Sequence, residues 1–361
     1  MIYISNIQLF ILILIFEVGS TTLFALGIGA KQDAWIVILL ATLIGLILLW
    51  VYTEFPNRYP DQNFSEILED LLGKKLATPL LLLYGLYFFS QASHNFFEFG
   101  AMIKLTTLPE TPLIVLLYLF MLVLIYILHL GFEVLGRTAE ILTPYAILFL
   151  LLIYTFTVLS GEFEIIELQP VLADGIEPVI AELHHVVAFP FGEMVVFLMF
   201  WHYAAKQQSI RLTAFLAVGL SAFLLTISLI VMVVVLGPEL AGKAEIPLLE
   251  VILVINIADI ITNLDSVAVF IMFIGGFYKT ALHFWAFCLT MTWAYKGKSP
   301  KRLLTIVGLI FPLFAVYRFP GFSDQRLIGG EPGIYSILIF AFLPILLLFI
   351  MFIKKEQGSS N

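Results

Sequence analysis

The residues best equipped for chemistry stand beside helix-breaking residues in otherwise apolar stretches. Phe189-Pro190-Phe191-Gly192-Glu193 is the clearest case. Pro190 lacks a backbone donor and crowds the preceding turn, and Gly192 relaxes the chain further. Backbone groups freed in an apolar stretch are tolerated only around a cavity or inside protein. A half-helix starting there offers N–H groups and a positive dipole end to an anion such as a carboxylate. A kink that merely packs is the competing reading, and Glu193 beside the break weighs against it. Phe189, Pro190, Phe191, Gly192 and Glu193 are therefore ligand-binding candidates.

A second constellation is Glu17 followed by Gly19, Ser20, Thr21 and Thr22. A carboxylate in the middle of an apolar span costs about 2.5–3.5 kcal/mol on insertion scales, so it faces the protein interior. The hydroxyls either serve an unwound segment or bond back to their own helix. Gly19, Ser20 and Thr21 join the ligand-binding candidates, and Glu17 the polar pathway. Gln91, Asn95 and Glu98 recur at spacings of four and three and share one helix face. That stripe, which also passes Ser90, Ser93 and His94, lines either a polar pathway or an interhelical hydrogen-bond seam. Asp265 opens a further span, as a coupling residue or as a helix cap. Arg137 and Glu140 near Pro144 read as a structural ion pair. The six histidines show no metal-ligand spacing, and no catalytic set or phosphate loop is present. An enzyme, a metal site, a cofactor and a nucleic-acid partner are not expected. Cys288 is the single cysteine, which excludes an internal disulfide.

The elements that must position these residues are membrane helices. Of 361 residues, 61% are hydrophobic and 12% charged, with a mean hydropathy of +1.05. Soluble domains hold roughly 45–50% apolar and about 25% charged residues, so this much charge cannot coat a globule. Stretches of roughly 20 apolar residues run at about 5–30, 35–55, 77–103, 112–130, 138–160, 184–203, 209–236, 262–283, 301–318 and 333–353. The chain is thus an all-α polytopic membrane protein of ten transmembrane helices. Residues 64–75 read as a surface amphipathic helix, and 246–260 as a short helix in an outer loop. With no Lys or Arg before Lys31, the first span reads as retained and not as a cleaved signal peptide.

Orientation follows from the basic residues. An inside N-terminus puts thirteen Lys and Arg in the cytoplasm, Lys279 among them, and five outside, so both termini are expected to be cytoplasmic. The acidic loop at about 161–183 has no basic residue and falls outside. The first and sixth spans align at an offset of 173, matching Phe16 with Phe189, Gly19 with Gly192 and Phe24 with Phe197. Two five-helix halves, 5–160 and 184–353, with a tail at 354–361, form one membrane domain. Broken helices 1 and 6 in such an inverted 5+5 repeat define a LeuT-like fold, with binding near the midplane.

Several stretches together resemble the endospore germination permease family, the B subunits of nutrient germinant receptors. They are Gln8; Gln32-Asp33-Ala34-Trp35; Leu108-Pro109-Glu110-Thr111-Pro112; Gly131-Phe132-Glu133-Val134; Arg137-Thr138-Ala139-Glu140-Ile141-Leu142; Gln169-Pro170-Val171-Leu172-Ala173-Asp174-Gly175; and Phe189 to Glu193. The chain departs at Thr262-Asn263, where members often carry Glu-Arg before the Leu-Asp of the eighth span. The resemblance implies the amino acid/polyamine/organocation superfamily, residence in the spore inner membrane, and assembly with A and C subunits. It implies sensing of a germinant (an amino acid, sugar or nucleoside) at mid-membrane. A proton- or sodium-coupled amino-acid transporter of the same fold is the alternative, and a passive structural subunit with a vestigial pocket a third.

Overall fold

In the computed structural model the described residues are 3–255, 265–297 and 299–359. In chain order the helices are α1 (Asn6–Val18), α2 (Ala34–Arg58), α3 (Phe64–Leu72), α4 (Lys74–Thr106), α5 (Leu113–Leu130), α6 (Phe132–Ser160) and α7 (Glu177–Ala188). They continue with α8 (Ile210–Lys243), α9 (Pro247–Val254), α10 (Asp265–Ala294), α11 (Pro300–Arg318), α12 (Phe322–Gly329) and α13 (Glu331–Ser359). Ten segments among the described residues are long and apolar enough to cross a membrane. The first comprises α1 and a 3-10 turn at Thr21–Leu23; the sixth comprises α7 and a 3-10 segment at Phe191–Met199. Both interruptions fall where glycine and proline weaken the helix, at Gly19-Ser20 and at Phe189-Pro190.

Rows of exposed apolar side chains, such as Leu39, Leu43 and Ile47 on α2, suit a lipid surrounding. The interior is organised around α4 and α10, the most extensive helix pair among the described residues. Small residues let these helices approach. Gly276 of α10 lies on the Phe99 ring of α4, and Gly85 of α4 on Met291. Gly275 meets Gly19 backbone to backbone, which locks the end of α1 against α10.

Several quoted sequence motifs turn out to be contacts between chain segments. Ile4 donates to the Tyr203 carbonyl (2.7 Å) and accepts from the Ala205 amide (3.0 Å). Gln8 completes a capping box with Ser5 and donates to Glu140 (3.2 Å). Arg137 pairs with Glu133 at 2.5 Å one turn earlier, so the ion pair expected with Glu140 is replaced by this local one. At the opposite end Gln32 donates to the Pro170 carbonyl (3.1 Å), and Asp33 accepts from the Leu172 amide (2.9 Å). The amphipathic segment is α3, capped by Asn63 and Glu66 and buried through Phe64, Ile67, Leu68 and Leu71. The outer-loop helix is α9; residues 256–260, Thr262, Asn263 and the side chain of Asp265 lie outside the described residues.

One sequence expectation is overturned. The eighth span continues to Ala294, well beyond 283, which moves Lys279 from a cytoplasmic boundary to the middle of a buried helix. The basic count then stands at twelve against five. Polar residues in the second half of a buried helix look, by hydropathy alone, like an approach to water.

Candidate solute site and buried ion pair

Lys279 lies one turn beyond the Gly275 contact, so its side chain enters the space between the two broken helices. Its Nζ stands 2.6 Å from Glu193 Oε2, with both residues buried. The ammonium also lies over the Phe189 ring at 3.9 Å and the Phe16 ring at 5.2 Å, in cation–π geometry. Phe16 in turn meets Phe197 edge-on at 5.3 Å. Glu17 shares the electrostatic field of Lys279 and Glu193 and is fully buried, yet neither of its oxygens meets a hydrogen-bond donor among the described residues. Two carboxylates and one ammonium therefore occupy the core, where an unpaired ion costs several kcal/mol.

Beside the ion pair is a cavity of about 500 Å³, within the usual range for small-molecule sites. Its walls come from the chain after the first break (Phe24 to Gly27), the polar stripe of α4, the end of α7, and residues 326–337. It lies at the end of the bundle that carries the acidic loop, since Gly29 packs on Glu182 and Lys31 pairs with Asp174. Glu193 and Phe189 form part of its lining, so the cavity reaches down to the ion pair.

The charged groups around it have both signs and are already positioned. Arg318, at the end of α11, donates to the Ser90 carbonyl (3.1 Å), to Ser90 Oγ (2.8 Å) and to Ser93 Oγ. Arg326 on α12 pairs with Glu98 at 3.2 Å and lies over the Phe24 ring at 4.6 Å. Gln325 donates to His94 Nε2 at 2.6 Å. Short helix α12 thus caps the stripe of α4 and, together with the end of α11, brings two cationic heads to a cavity that also holds two carboxylates. Such a lining can bind a small solute carrying an anionic and a cationic group.

Of the residues singled out in the sequence, Gln91, Asn95, Glu98, Phe189 and Glu193 line the cavity. Asn95 also donates back to the Gln91 carbonyl of its own helix (2.9 Å). Gly19, Ser20, Thr21, Pro190, Phe191 and Gly192 are not part of the lining. The gap between the breaks, which the sequence reading offered to a solute, is the place where Lys279 lies. Ser20, Thr21 and Thr22 are buried with hydroxyls that meet no partner among the described residues. Phe191 packs on Gly45 of α2, and Gly192 faces Ile337 and Ala341 of α13. Sequence reasoning missed Lys279, Arg318, Gln325 and Arg326. Lys279 had a signal, since Gly275-Gly276 before it marks a close helix approach; the others act through contacts more than 200 residues apart in sequence.

A ten-span bundle with interrupted first and sixth helices and a polar cavity beside the breaks is the LeuT-like architecture of membrane transporters. Solved structures bear this out. A Na+-coupled sialic acid symporter in a substrate-bound outward-open state superposes with a TM-score of 0.64 at 12% identity, covering 96% of this chain and 78% of that one. A manganese transporter of Eremococcus coleocola does so with a TM-score of 0.56 at 12% identity, covering 96% and 75%. The chain belongs to the spore germination protein family, whose model matches residues 3–320. It is 32% identical to spore germination protein KB of Bacillus subtilis (strain 168), over 99% of this chain and 97% of that protein. It is 26% identical to the putative spore germination protein YfkT of the same organism, over 92% and 90%. It is accordingly an integral membrane protein of the germination family.

Proposed function

We propose that this chain is the B subunit of a spore germinant receptor and binds a small nutrient, an amino acid in the first instance, in the cavity above the Lys279–Glu193 pair. The observation that carries the reading is a cavity of about 500 Å³ whose lining includes Arg318, Arg326, Glu98 and Glu193. A zwitterion would place its carboxylate toward the arginines and its ammonium toward the carboxylates. Occupancy would then shift a conformational equilibrium that A and C subunits read. In this reading the two repeats span 5–160 and 184–353, both termini are cytoplasmic in the spore inner membrane, and the cavity opens outward. The fold shared with a symporter supports a second reading, an ion-coupled amino-acid transporter.

The deciding experiment pairs binding of labelled alanine and valine to the protein in nanodiscs with flux into liposomes; glucose and inosine serve as contrasts. The receptor reading expects saturable binding, weakened in Arg326→Ala, without flux. Ion-dependent flux by the lone chain would establish the transporter instead. If the lone chain neither binds nor transports, the same measurement on the complex with A and C subunits decides. Absence of binding there, too, would leave a passive structural subunit.

A further inference from the structure

At the mouth of the cavity, on the last turns of α7, His184 and His185 lie with ring centroids 4.0 Å apart. Each ring commits its Nδ1 to a nearby acceptor: His184 to the Ala181 carbonyl at 2.7 Å, and His185 to Glu182 Oε2 at 3.2 Å. A neutral imidazole that donates from Nδ1 presents a lone pair at Nε2. Both Nε2 atoms face one carboxylate, that of Glu331 at the start of α13. The separations are 2.9 Å from His185 to Oε1 and 3.7 Å from His184 to Oε2. His184 Nε2 is shielded from solvent and hydrogen-bonds to nothing among the described residues. One donor atom from each of the three residues falls within 4.8 Å of the others.

Two imidazole lone pairs aimed at a carboxylate repel it unless a cation stands among them. A proton on His185 would serve one of the two contacts and leave His184 Nε2 without a partner. A metal ion serves all three donors at once. The outer partners are also in place, because metal-binding histidines characteristically donate their other N–H to a carbonyl or carboxylate. Two imidazoles and a carboxylate are a familiar zinc donor set, with a fourth position left to water.

We propose that His184 Nε2, His185 Nε2 and the Glu331 carboxylate form a binding site for a divalent first-row transition ion of the Zn2+ type. Glu182 and the Ala181 carbonyl orient the two rings. The sequence hid this site because Glu331 lies 146 residues from His185. His185 lines the cavity together with Gly330, Pro332 and Gly333, so the ion would tie α7 to α13 across its mouth. The site is independent of whether the cavity takes a nutrient.

The test uses the full chain in nanodiscs, with any polyhistidine tag removed and metal stripped by chelator. Co2+ titration is followed by visible absorption, and Zn2+ affinity by competition with a chromophoric chelator. The proposal expects one equivalent per chain and a low-symmetry Co2+ band. Glu331→Gln and His184→Ala should each weaken binding by more than about 100-fold, and Glu182→Gln by about 10–100-fold, the range for loss of an outer partner. His129→Ala, whose ring contacts Thr305 elsewhere, should leave affinity unchanged. Equal affinity in wild type and Glu331→Gln would overturn the proposal, since ordinary surface histidines would then account for the binding. Should those variants fail to assemble, the wild-type spectrum decides, and absence of a one-equivalent Co2+ band overturns it.

Discussion

Lys279 and Glu193 form an ion pair of 2.6 Å inside the bundle, joining α10 to the 3-10 segment beyond the second break. Neither residue has appreciable contact with solvent. A buried pair of this kind gives little net stability against apolar replacements, but losing one partner strands the other. Lys279→Met should therefore destabilise the protein by about 3–5 kcal/mol. The double variant Lys279→Met/Glu193→Met should recover most of that loss. Thermal unfolding of the purified proteins in one detergent measures both, and a double variant no better than the single one would refute the argument.

The contact between Gly19 and Gly275 leaves no room for a side chain on either residue. Gly19→Ala should cost about 1–3 kcal/mol through overpacking. Gly219 on α8 has nothing near the place of its missing Cβ, and Gly219→Ala should be neutral or slightly stabilising. Comparing the two Tm shifts tests whether the approach itself, and not loss of glycine, is responsible.

Glu98 holds α12 to α4 through Arg326, whose side chain is 37% exposed. Screening keeps such a pair to about 1 kcal/mol or less. Glu98→Gln should raise hydrogen exchange across Phe322–Gly329 by up to about fivefold, without moving global unfolding. Exchange equal to wild type would mean that the Gln325–His94 hydrogen bond and the packing of Arg326 on Phe24 and Phe322 hold the cap without the ion pair.

Gly192→Leu should act through packing and not through the cavity. The added side chain would run into Ile337 and Ala341 of α13. The expected result is a fall in Tm of the solute-free protein, with solute affinity in the folded fraction retained. A variant of normal stability that has lost solute binding would instead put Gly192 in the site.

The sequence discloses much of the scaffold because each of its signals is local. Apolar stretches mark ten spans, Pro190 and Gly19 mark the interruptions, and the four-three spacing of Gln91, Asn95 and Glu98 marks one face of α4. What escapes is whatever depends on which helices meet. Lys279 reads as a boundary residue until α10 is seen to continue to Ala294. Arg318 and Arg326 read as loop charges until α11 and α12 fold back on Ser90 and Glu98. Pairings across so many residues leave no periodicity to read.

The ion pair also imposes an order on biosynthesis. Glu193 is polymerised 86 residues before Lys279, as their positions show. At about 5–20 residues per second, roughly 4–17 s separate the two. Through that interval the carboxylate of the sixth span has no Lys279 to pair with, while Glu98 waits longer still for Arg326. Synthesis of the carboxylate therefore runs ahead of synthesis of its counter-cation. The cation that completes the pair is supplied only when α10 is made.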